Sequence, residues 1–504
     1  MRNVTGGMFA RKPNLKLNAA QLDRAVGVLV ASAAGDALGA GYEFGPTDPT
    51  LVPEMIGGGL GNFEPGQWTD DTDLAMAIAE VAKTGIDLCS EEGLTQIARN
   101  FIRWFETNPA DVGIQTSRVL RKAGANPTGA QMIAASEEVH VHAGRSAGNG
   151  SLMRTGPVAI AYLHDPDELV EAAMAVSSLT HYQDYAQEAC AVWCLAIRHA
   201  VITGEIPTFD DIAEFAPNAD YWRGVFEEAE NNEPNTFVEN GWSVGALQAA
   251  WSAIKHTPIP SEPFPSLHLV DSLTTAIRIG HDTDTVAAIA GQLLGAVWGA
   301  SAVPARWRRI LNGWPGLNSL DLERIATLIA SHGQEIKYEW PTVPHIDYSD
   351  WSGPFVVQHP NHENLFLGSA AALDDLPDHI EAIVSLCLVG TNQVPADREH
   401  IAFRLLDLTG ETQNQNLDFV ITDAAELVRE LVEVEGKNVF LHCVASHSRT
   451  PTIAAAFSKL VGDDVDETLH SIQEIIPLAN PNPDFRNALK RIGPNRPANT
   501  RDRN

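Results

Sequence analysis

The sequence contains few cysteines and few basic residues for its length, and both shortages limit what the protein can be. Only five cysteines occur in 504 residues, without regular spacing. This excludes a disulfide framework and predicts a reducing compartment, the cytoplasm. The 34 Lys and Arg residues stand against 65 Asp and Glu residues, a net charge of −31. Such an excess of negative charge argues against extended contact with a nucleic-acid backbone.

Long uninterrupted apolar segments are also scarce. Residues 1–16 lack the apolar core of a signal peptide. The longest apolar stretch, 286–303, is rich in Ala and Gly and is interrupted by Gln292. These features favour a buried core helix over a membrane span, so we expect no membrane partner.

The pattern of the sequence changes near residue 335. Up to that point apolar residues recur at helical spacing, which predicts a mostly helical domain over 19–335. Residues 336–354 combine Pro and aromatic residues without periodicity and indicate a linker. Residues 355–490 alternate short β-like segments with helices, which predicts a smaller α/β domain, and the tail 491–504 is expected to be disordered. The elements expected in the second domain are strands at 365–367, 382–386 and 438–441, and helices at 422–434 and from Pro451 onwards.

Two dense acidic clusters, far apart in the sequence, each precede an apolar helical run. The first covers residues 68–73 (WTDDTD) and the second residues 281–285 (HDTDT). Asp and Thr are ordinary helix N-caps, but capping explains only one or two residues at each start. Carboxylates at this density repel one another unless a cation lies between them. Hard oxygen ligands without cysteine favour Mg²⁺ or Mn²⁺ over zinc.

Three other segments accompany these clusters. The first is GDALG at 35–39 followed by Glu43, which adds carboxylates near the end of an early helix. The second is the glycine-dense loop at 144–151 (GRSAGNGS), whose backbone can approach a diphosphate or a ribose closely. The third is Thr180 followed by His181, which comes after a helical run.

Taken in this order, the segments resemble the motifs of the ADP-ribosylglycohydrolase family, over roughly residues 19–335. DVGIQT at 111–116 is similar to the Asp-Ile-Gly loop of that family. The resemblance implies an all-α orthogonal bundle with two Mg²⁺ or Mn²⁺ ions, which orient a ribose diol and acidify a bound water. The implied metal ligands are Thr69, Asp70, Asp71, Asp282, Asp284 and Thr285. The implied catalytic residues are Asp36, Glu43 and Asp71, and those lining the ADP-ribose pocket are Gly113, Gly148, Asn149, Gly150, Ser151, Met153 and His181.

A second candidate site follows the strand predicted to end near residue 441. Cys443 and Arg449 flank five residues, and Pro451 is expected at the first position of a helix. Backbone N–H groups of such a turn can encircle a phosphate, which Arg449 would bind in a bidentate manner. The helix N-terminus would favour the thiolate and make Cys443 a nucleophile.

This segment resembles the active-site loop of the dual-specificity branch of the protein-tyrosine phosphatases. His-Cys-x5-Arg-Thr is intact at 442–450, and residues 365–369 match the opening strand of that family. The resemblance implies that Cys443 is the nucleophile, that Arg449 and Ser448 bind phosphate, and that Asp407 or Glu411 is the general acid. Ser446 stands where this loop usually has Gly, which predicts strain at a position that favours positive φ.

The leading hypothesis is therefore a bifunctional enzyme: a metal-dependent hydrolase of ADP-ribosylated proteins or small molecules, fused to a cysteine-dependent phosphatase that acts on a phosphate ester. In one alternative, the second domain only binds phosphate. In another, the whole chain is a regulatory protein that recognises ADP-ribose or phosphate without turnover.

Overall fold

The computed structural model describes residues 16–144, 146–335, 342–410 and 413–493. Its first part is almost entirely helical, as predicted, apart from a short hairpin of β1 (Asn312–Gly313) and β2 (Leu317–Asn318). The helices of this first domain are α1 (Ala19–Gly39), α2 (Asp70–Ala82), α3 (Glu91–Glu106), α4 (Ile114–Ala123), α5 (Gly129–Ala143), α6 (Gly156–Ala161), α7 (Pro166–Ser178), α8 (Asp184–Thr203), α9 (Ala219–Asn231), α10 (Ser243–His256), α11 (His268–Arg278), α12 (Thr283–Trp298), α13 (Ala305–Arg308) and α14 (Ser319–Ala330).

Polar caps determine where several of these helices begin. Asn18 and Gln21 form a reciprocal capping box at the start of α1, and Asn318 and Asp321 do the same for α14. Such boxes satisfy backbone N–H groups that have no partner within the helix.

Helices α1 and α12 pack antiparallel at the centre of the first domain. A Cβ on Gly35 would lie 2.3 Å from the carbonyl oxygen of Ala287, and one on Gly27 would lie 2.3 Å from that of Gly295. Only glycine permits backbones to approach this closely at these two positions. Because both helices are buried along most of their length, the pair forms a rigid core.

One helix among the described residues, Ala19–Tyr42, is long and apolar enough to cross a membrane, and 89% of its most apolar window is buried inside the protein. The stretch expected at 286–303 corresponds mainly to α12, which is buried as predicted.

The second domain contains a sheet with helices around it. Within residues 342–410 and 413–493 the sheet order is β3-β4-β7-β5-β6, with β3 antiparallel to β4 and the other pairs parallel. Its strands are β3 (Val356–Gln358), β4 (Leu365–Ser369), β5 (Ala382–Ser385), β6 (Glu399–Ala402) and β7 (Val439–Cys443), and its helices are α15 (Leu417–Arg429), α16 (Arg449–Val461), α17 (Val465–Ile475) and α18 (Pro483–Arg491). Because parallel strands end at the same edge, the loops after β5, β6 and β7 meet there.

Three expectations for this region need correction or restriction. Helix α16 begins at Arg449, so Pro451 is its third residue and not its first. Helix α15 begins at Leu417, earlier than the expected 422, because an apolar face precedes the predicted start. The described part of the expected linker, 342–354, has no helix or strand, and α18 extends to Arg491, the first residue of the expected tail. Residues 494–504 lie outside the described part.

Candidate functional site

The first acidic cluster lies at the buried start of α2. Thr69 is the N-cap, and its side chain accepts a hydrogen bond from the backbone N–H of Asp71. Asp36, from the end of α1, accepts from the backbone N–H groups of Thr69 and Thr72 at 3.0 Å each. Capping is thus performed by Thr69 and Asp36, which leaves the carboxylates of Asp70 and Asp71 available for another purpose.

The second cluster lies at the start of α12 and meets the first. Thr285 donates its hydroxyl hydrogen to Asp71 Oδ2 at 3.3 Å, which links α12 to α2. Asp282 accepts from the Asn149 side-chain amide at 2.8 Å, which links α12 to the glycine-dense loop. Segments far apart in the sequence therefore form one site, because α1 and α12 bring their ends together.

The carboxylates in this site are grouped closely enough to hold cations. One oxygen from each of Asp36, Asp71 and Asp284 lies within 4.8 Å of the others, and the same holds for Glu43, Asp282 and Asp284. Asp71 Oδ1 is buried and has no hydrogen-bond partner among the described residues. An orphaned carboxylate oxygen among hard donors fits a divalent cation such as Mg²⁺ or Mn²⁺.

Burial and mutual repulsion raise the pKa values throughout this cluster. Burial raises the pKa of Asp36 to about 6, and burial together with the charge of Asp111 raises the pKa of Asp70 to about 7. Burial and then Asp282 raise the pKa of Glu43 to about 8, while the pKa of Asp71 and that of Asp284 rise well above the ordinary range. A bound divalent cation would reverse these shifts, because it favours the ionised carboxylates.

The glycine-dense loop lies against His181. A Cβ on Gly148 would come within 3.5 Å of His181 Nε2, and a Cβ on Gly150 within 3.2 Å. A side chain at Gly150 would therefore crowd the imidazole, whereas one at Gly148 would reach ordinary van der Waals contact with it. Gly113 is near as well, and its N–H donates to Asp70 Oδ2 at 3.4 Å.

The hydrogen bonds behind His181 determine its tautomer. The buried Arg154 donates from Nη2 to Thr180 Oγ1 at 2.7 Å, and Thr180 Oγ1 lies 2.8 Å from His181 Nδ1. Because arginine can only donate, the Thr180 hydroxyl accepts there, and donation of its own hydrogen to His181 Nδ1 is the arrangement that gives this buried hydrogen an acceptor. Burial, and then Arg154, lower the pKa of His181 well below its ordinary value. His181 is thus neutral, with an Nε2–H donor directed at the glycine loop.

Two residues expected in the pocket are buried instead in the core. The Ser151 hydroxyl accepts from the Ser177 hydroxyl at 2.9 Å, and only 4% of Met153 is exposed. The pocket roles expected for these two residues stay predictions.

Several residues that position the site were not among the predicted site residues. Asn240 accepts from the backbone N–H of Asp282 at 3.3 Å and donates to the Gly280 carbonyl at 3.1 Å, so it orders the turn before α12. Gln115 donates to the carbonyl oxygens of Ser146 at 2.8 Å and Thr180 at 2.9 Å. No local pattern marks Asn240, whereas Gln115 lies inside the 111–116 motif and could have been included.

In the second domain, Cys443 ends β7 and is buried beside a chain of polar side chains. His442 Nε2 lies 2.7 Å from Ser385 Oγ, which lies 2.8 Å from His400 Nε2. Burial and then His400 lower the pKa of His442 to about 3, so this histidine is neutral. Because the His442 imidazole is neutral, the charge near Cys443 comes from groups at the start of α16 and not from this histidine.

The loop after Cys443 has the expected backbone feature at Ser446. Ser446 has φ +54° and is fully buried, and its hydroxyl donates to the Gly368 carbonyl of β4. The predicted positive φ is therefore confirmed, and the side chain is held by a hydrogen bond to the neighbouring strand.

Arg449 and Asp407 both contact residues at or next to this loop. Arg449 Nη1 donates to the carbonyl oxygens of Leu386 at 2.9 Å and Leu405 at 3.2 Å, and its buried Nε has no partner among the described residues. Asp407 Oδ1 accepts from the Ser448 hydroxyl at 2.7 Å and from the Asn482 amide at 2.9 Å. Of the two expected acids, Asp407 thus lies at the loop, while Glu411 is outside the described residues.

Comparison with known proteins agrees with the architecture of the first domain. The family model described as ADP-ribosylglycohydrolase matches residues 17–335. The chain is 29% identical over 303 residues to the ADP-ribosylarginine hydrolase Tri1 of Pseudomonas putida (strain GB-1), covering 57% of this chain and 73% of that one. It is 28% identical over 294 residues to the ADP-ribosyl-[dinitrogen reductase] glycohydrolase of Rhodospirillum rubrum, covering 56% of this chain and 89% of the relative. A solved structure titled ADP-ribosylglycohydrolase-related protein complex superposes with a TM-score of 0.50 at 30% identity, covering 62% of this chain and 99% of the other. Because the family model spans more than half of the sequence, the chain belongs to the ADP-ribosylglycohydrolase family.

Proposed function

We propose that the first domain hydrolyses the glycosidic bond between ADP-ribose and a modified protein side chain, using two divalent cations, Mg²⁺ or Mn²⁺. The observation that carries this proposal is the convergence of Asp36, Asp71 and Asp284 with Glu43, in which one buried oxygen of Asp71 has no hydrogen-bond partner in the described part of the chain. The names of the two relatives described above support an ADP-ribosylated protein as the substrate and arginine as the first linkage to test.

In this proposal the residues of the chain divide the work by position. The cations would be held by Asp71 and Asp284 together with other members of the predicted ligand set, Thr69, Asp70, Asp282 and Thr285. When bound, such cations fix the hydroxyl groups of a ribose and lower the pKa of a bound water. Glu43 is a half-buried carboxyl of the group, so substrate and solvent can reach it, and it serves as acid or base at the glycosidic oxygen or nitrogen.

The pocket residues have a binding role. His181 presents its Nε2–H to the glycine loop, where it can donate to a phosphate or hydroxyl oxygen. Asn149 ties that loop to Asp282 through its amide. The loop that would bind the ADP-ribose unit is thereby held next to the carboxylates that would act on the bond.

The test is direct. The purified protein is incubated with arginine-linked and serine-linked ADP-ribosyl peptides, with added Mg²⁺ or Mn²⁺ and with a chelator, and free ADP-ribose is measured. Release that requires the cation and favours one linkage supports the proposal. Cation-independent release, or none from either peptide, contradicts it.

We further propose that the second domain is a cysteine-dependent phosphatase. The Cys443 thiolate would attack phosphorus while the bond to the leaving oxygen breaks, and Asp407 would give that oxygen its proton. Water would then displace Cys443 from the phosphoryl group, return a proton to Asp407 and release inorganic phosphate. The position of Asp407 against Ser448 supports this assignment. All five cysteines are free, and a reducing compartment such as the cytoplasm would preserve the Cys443 thiol.

A second reading of this domain is phosphate binding without turnover, and the serine at position 446, where loops of this kind usually have glycine, favours it. Hydrolysis of a generic aryl phosphate by the full chain supports the phosphatase. Calorimetric binding of inorganic phosphate without hydrolysis supports the binding reading.

A further inference from the structure

The segment that carries Asp407 runs between the two domains. We call residues 403–416 the acid loop; its described parts are 403–410 and 413–416. It follows β6 and precedes α15, and both of its ends contact the first domain.

At the start of the acid loop, the first domain contacts Phe403, Arg404 and the residue before the loop, Ala402. Arg308 donates from Nη1 to the Ala402 carbonyl at 2.7 Å, and its guanidinium lies 5.0 Å from the ring centre of Phe403. Arg404, the next residue, lies near Asp23 of α1 and lowers the pKa of that buried carboxyl against the larger effect of burial.

At the end of the acid loop, two side-chain amides reach the last turn of α12. Gln415 donates to the Val297 carbonyl at 2.9 Å and accepts from Arg24 of α1 at 2.9 Å. Asn416 donates to the Trp298 carbonyl and to the Ser301 hydroxyl. The last carbonyls of a helix have no partner within it, so these two amides satisfy groups that the first domain leaves open.

Two hydrogen bonds between Asn414 and Leu406 connect the anchored end of the acid loop to the part that carries Asp407. The Asn414 side chain accepts from the Leu406 backbone N–H at 2.8 Å and donates to the Leu406 carbonyl at 2.9 Å. The residue beside Gln415 is thereby fixed to the residue beside Asp407. A displacement of the Gln415 end would move Asp407 away from Ser448.

The helices that hold the acid loop are the same two that build the first site. Asp36 is near the C-terminal end of α1 and Asp284 near the N-terminal end of α12, while Arg24 and Val297 are near their opposite ends. The antiparallel packing of α1 on α12 makes this pair one stiff body. The acid loop of the second domain is therefore bound to one end of the α1–α12 pair, and the other end of that pair positions the carboxylates of the first site.

We propose that Gln415 and Asn416 are positioning residues: through them the α1–α12 pair holds the acid loop so that Asp407 can protonate the leaving group. The inference rests on the proposed phosphatase function. It makes the first domain a structural requirement for the chemistry of the second.

The test uses the full chain, two aryl phosphates and the double variant Gln415→Ala/Asn416→Ala. Nitrophenyl phosphate has an acidic leaving group that departs with little protonation, whereas phenyl phosphate needs the acid. A general acid contributes roughly 10²–10⁴-fold, so we expect phenyl phosphate turnover to fall about 10- to 100-fold and nitrophenyl phosphate turnover less than about threefold. Asp407→Asn removes the acid itself, so it should lower phenyl phosphate turnover by the full contribution of roughly 10²–10⁴-fold and affect nitrophenyl phosphate far less.

The matched control is Gln358→Ala on strand β3. It removes a bond of the same kind, because the Gln358 side-chain amide donates to the Glu363 carbonyl at 2.8 Å. It should leave the ratio of the two rates unchanged. If the double variant fails to fold, as judged by thermal unfolding, the single variant Gln415→Ala carries the test, with a smaller shift of the same sign.

The outcomes separate the inference from the function on which it rests. If the wild-type chain is active and the variant keeps the wild-type ratio, or loses both rates equally, the positioning role is overturned and the phosphatase stands. If the wild-type chain hydrolyses neither ester, the phosphatase and this inference fall together.

Discussion

The first site gathers several carboxylates, whereas the second sets a single arginine and a helix N-terminus beside its thiol, with one carboxylate nearby. At the starts of α2 and α12, buried carboxylates face one another, and one oxygen of Asp71 has no hydrogen-bond partner among the residues that the structure describes. Helix α16 begins at Arg449, six residues after Cys443, and the Arg449 guanidinium interacts electrostatically with Cys443. The first site is therefore suited to cations that in turn bind a sugar, and the second to an anion directly. The difference predicts that a variant in one site removes the activity proposed for that site and spares the activity proposed for the other.

The sharpest separation comes from Cys443→Ser. Hydrolysis of aryl phosphates should fall by roughly 10⁵-fold or more, because removing a catalytic nucleophile typically costs that much. Metal-dependent release of ADP-ribose should stay within about twofold of wild type, measured on the same preparation. A variant that still hydrolyses the ester at the wild-type rate would rule out the thiolate mechanism.

The converse variant is Asp71→Ala. ADP-ribose release should fall by roughly 10³-fold, since a lost ligand removes several kcal/mol of electrostatic stabilisation from the transition state. Phosphate ester hydrolysis should be unchanged. The control is Glu80→Ala on the same helix, where the carboxylate is paired at the surface with Lys83 at 2.8 Å. Equal loss in both variants would mean that helix α2 is disturbed, and the ligand assignment would fail.

The contrast between the sites also shows what the sequence could predict. The local signals were sufficient to predict a mostly helical first domain and the strand before Cys443, because each depends on neighbouring residues. The positive φ of Ser446 followed instead from the resemblance of its loop to a phosphatase loop. The docking amides Gln415 and Asn416 were not predicted, since their partners are on α12 and only the fold brings them together. The start of α16 was misplaced for a related reason: Pro at the first helical position is common, but Pro is also tolerated elsewhere in the first turn, where its missing N–H has no helical partner to lose.

The charge contrast further predicts how stability responds to cations and to pH. In the cation-free protein, Asp36 and Asp70 have pKa values of about 6 and about 7, against an ordinary value of 3.8. The folded state thus binds protons that the unfolded chain has lost, so the free energy of unfolding falls as pH rises from about 4 to about 7. Saturating Mg²⁺ or Mn²⁺ should offset this loss, adding about 2.7 kcal/mol at a hundredfold excess over Kd, or roughly 5–10 °C in Tm.

Differential scanning calorimetry at pH 5.5 and pH 8 tests this expectation. The Tm gain from the cation should be larger at pH 8, and Asp71→Asn should reduce it. Inorganic phosphate, which suits the second site, should not reproduce the effect. A cation effect that is equal at both pH values would contradict the assignment of these carboxylates to the cation site.

The smallest expected effect concerns Ser446→Gly. A left-handed backbone costs a non-glycine residue roughly 1–2 kcal/mol, which glycine would remove, but the hydrogen bond to the Gly368 carbonyl, worth about 1 kcal/mol, would be lost. The net change in the free energy of unfolding should therefore stay within about 1 kcal/mol, as measured by denaturant titration.

The effect of Ser446→Gly on turnover carries more information than its effect on stability. If the wild-type chain binds phosphate without hydrolysing esters and Ser446→Gly gains hydrolysis, the serine is what holds the loop in a non-catalytic shape. If both forms hydrolyse esters at similar rates, the serine is a tolerated substitution, and the positive charge of the second site serves catalysis just as the negative charge of the first does.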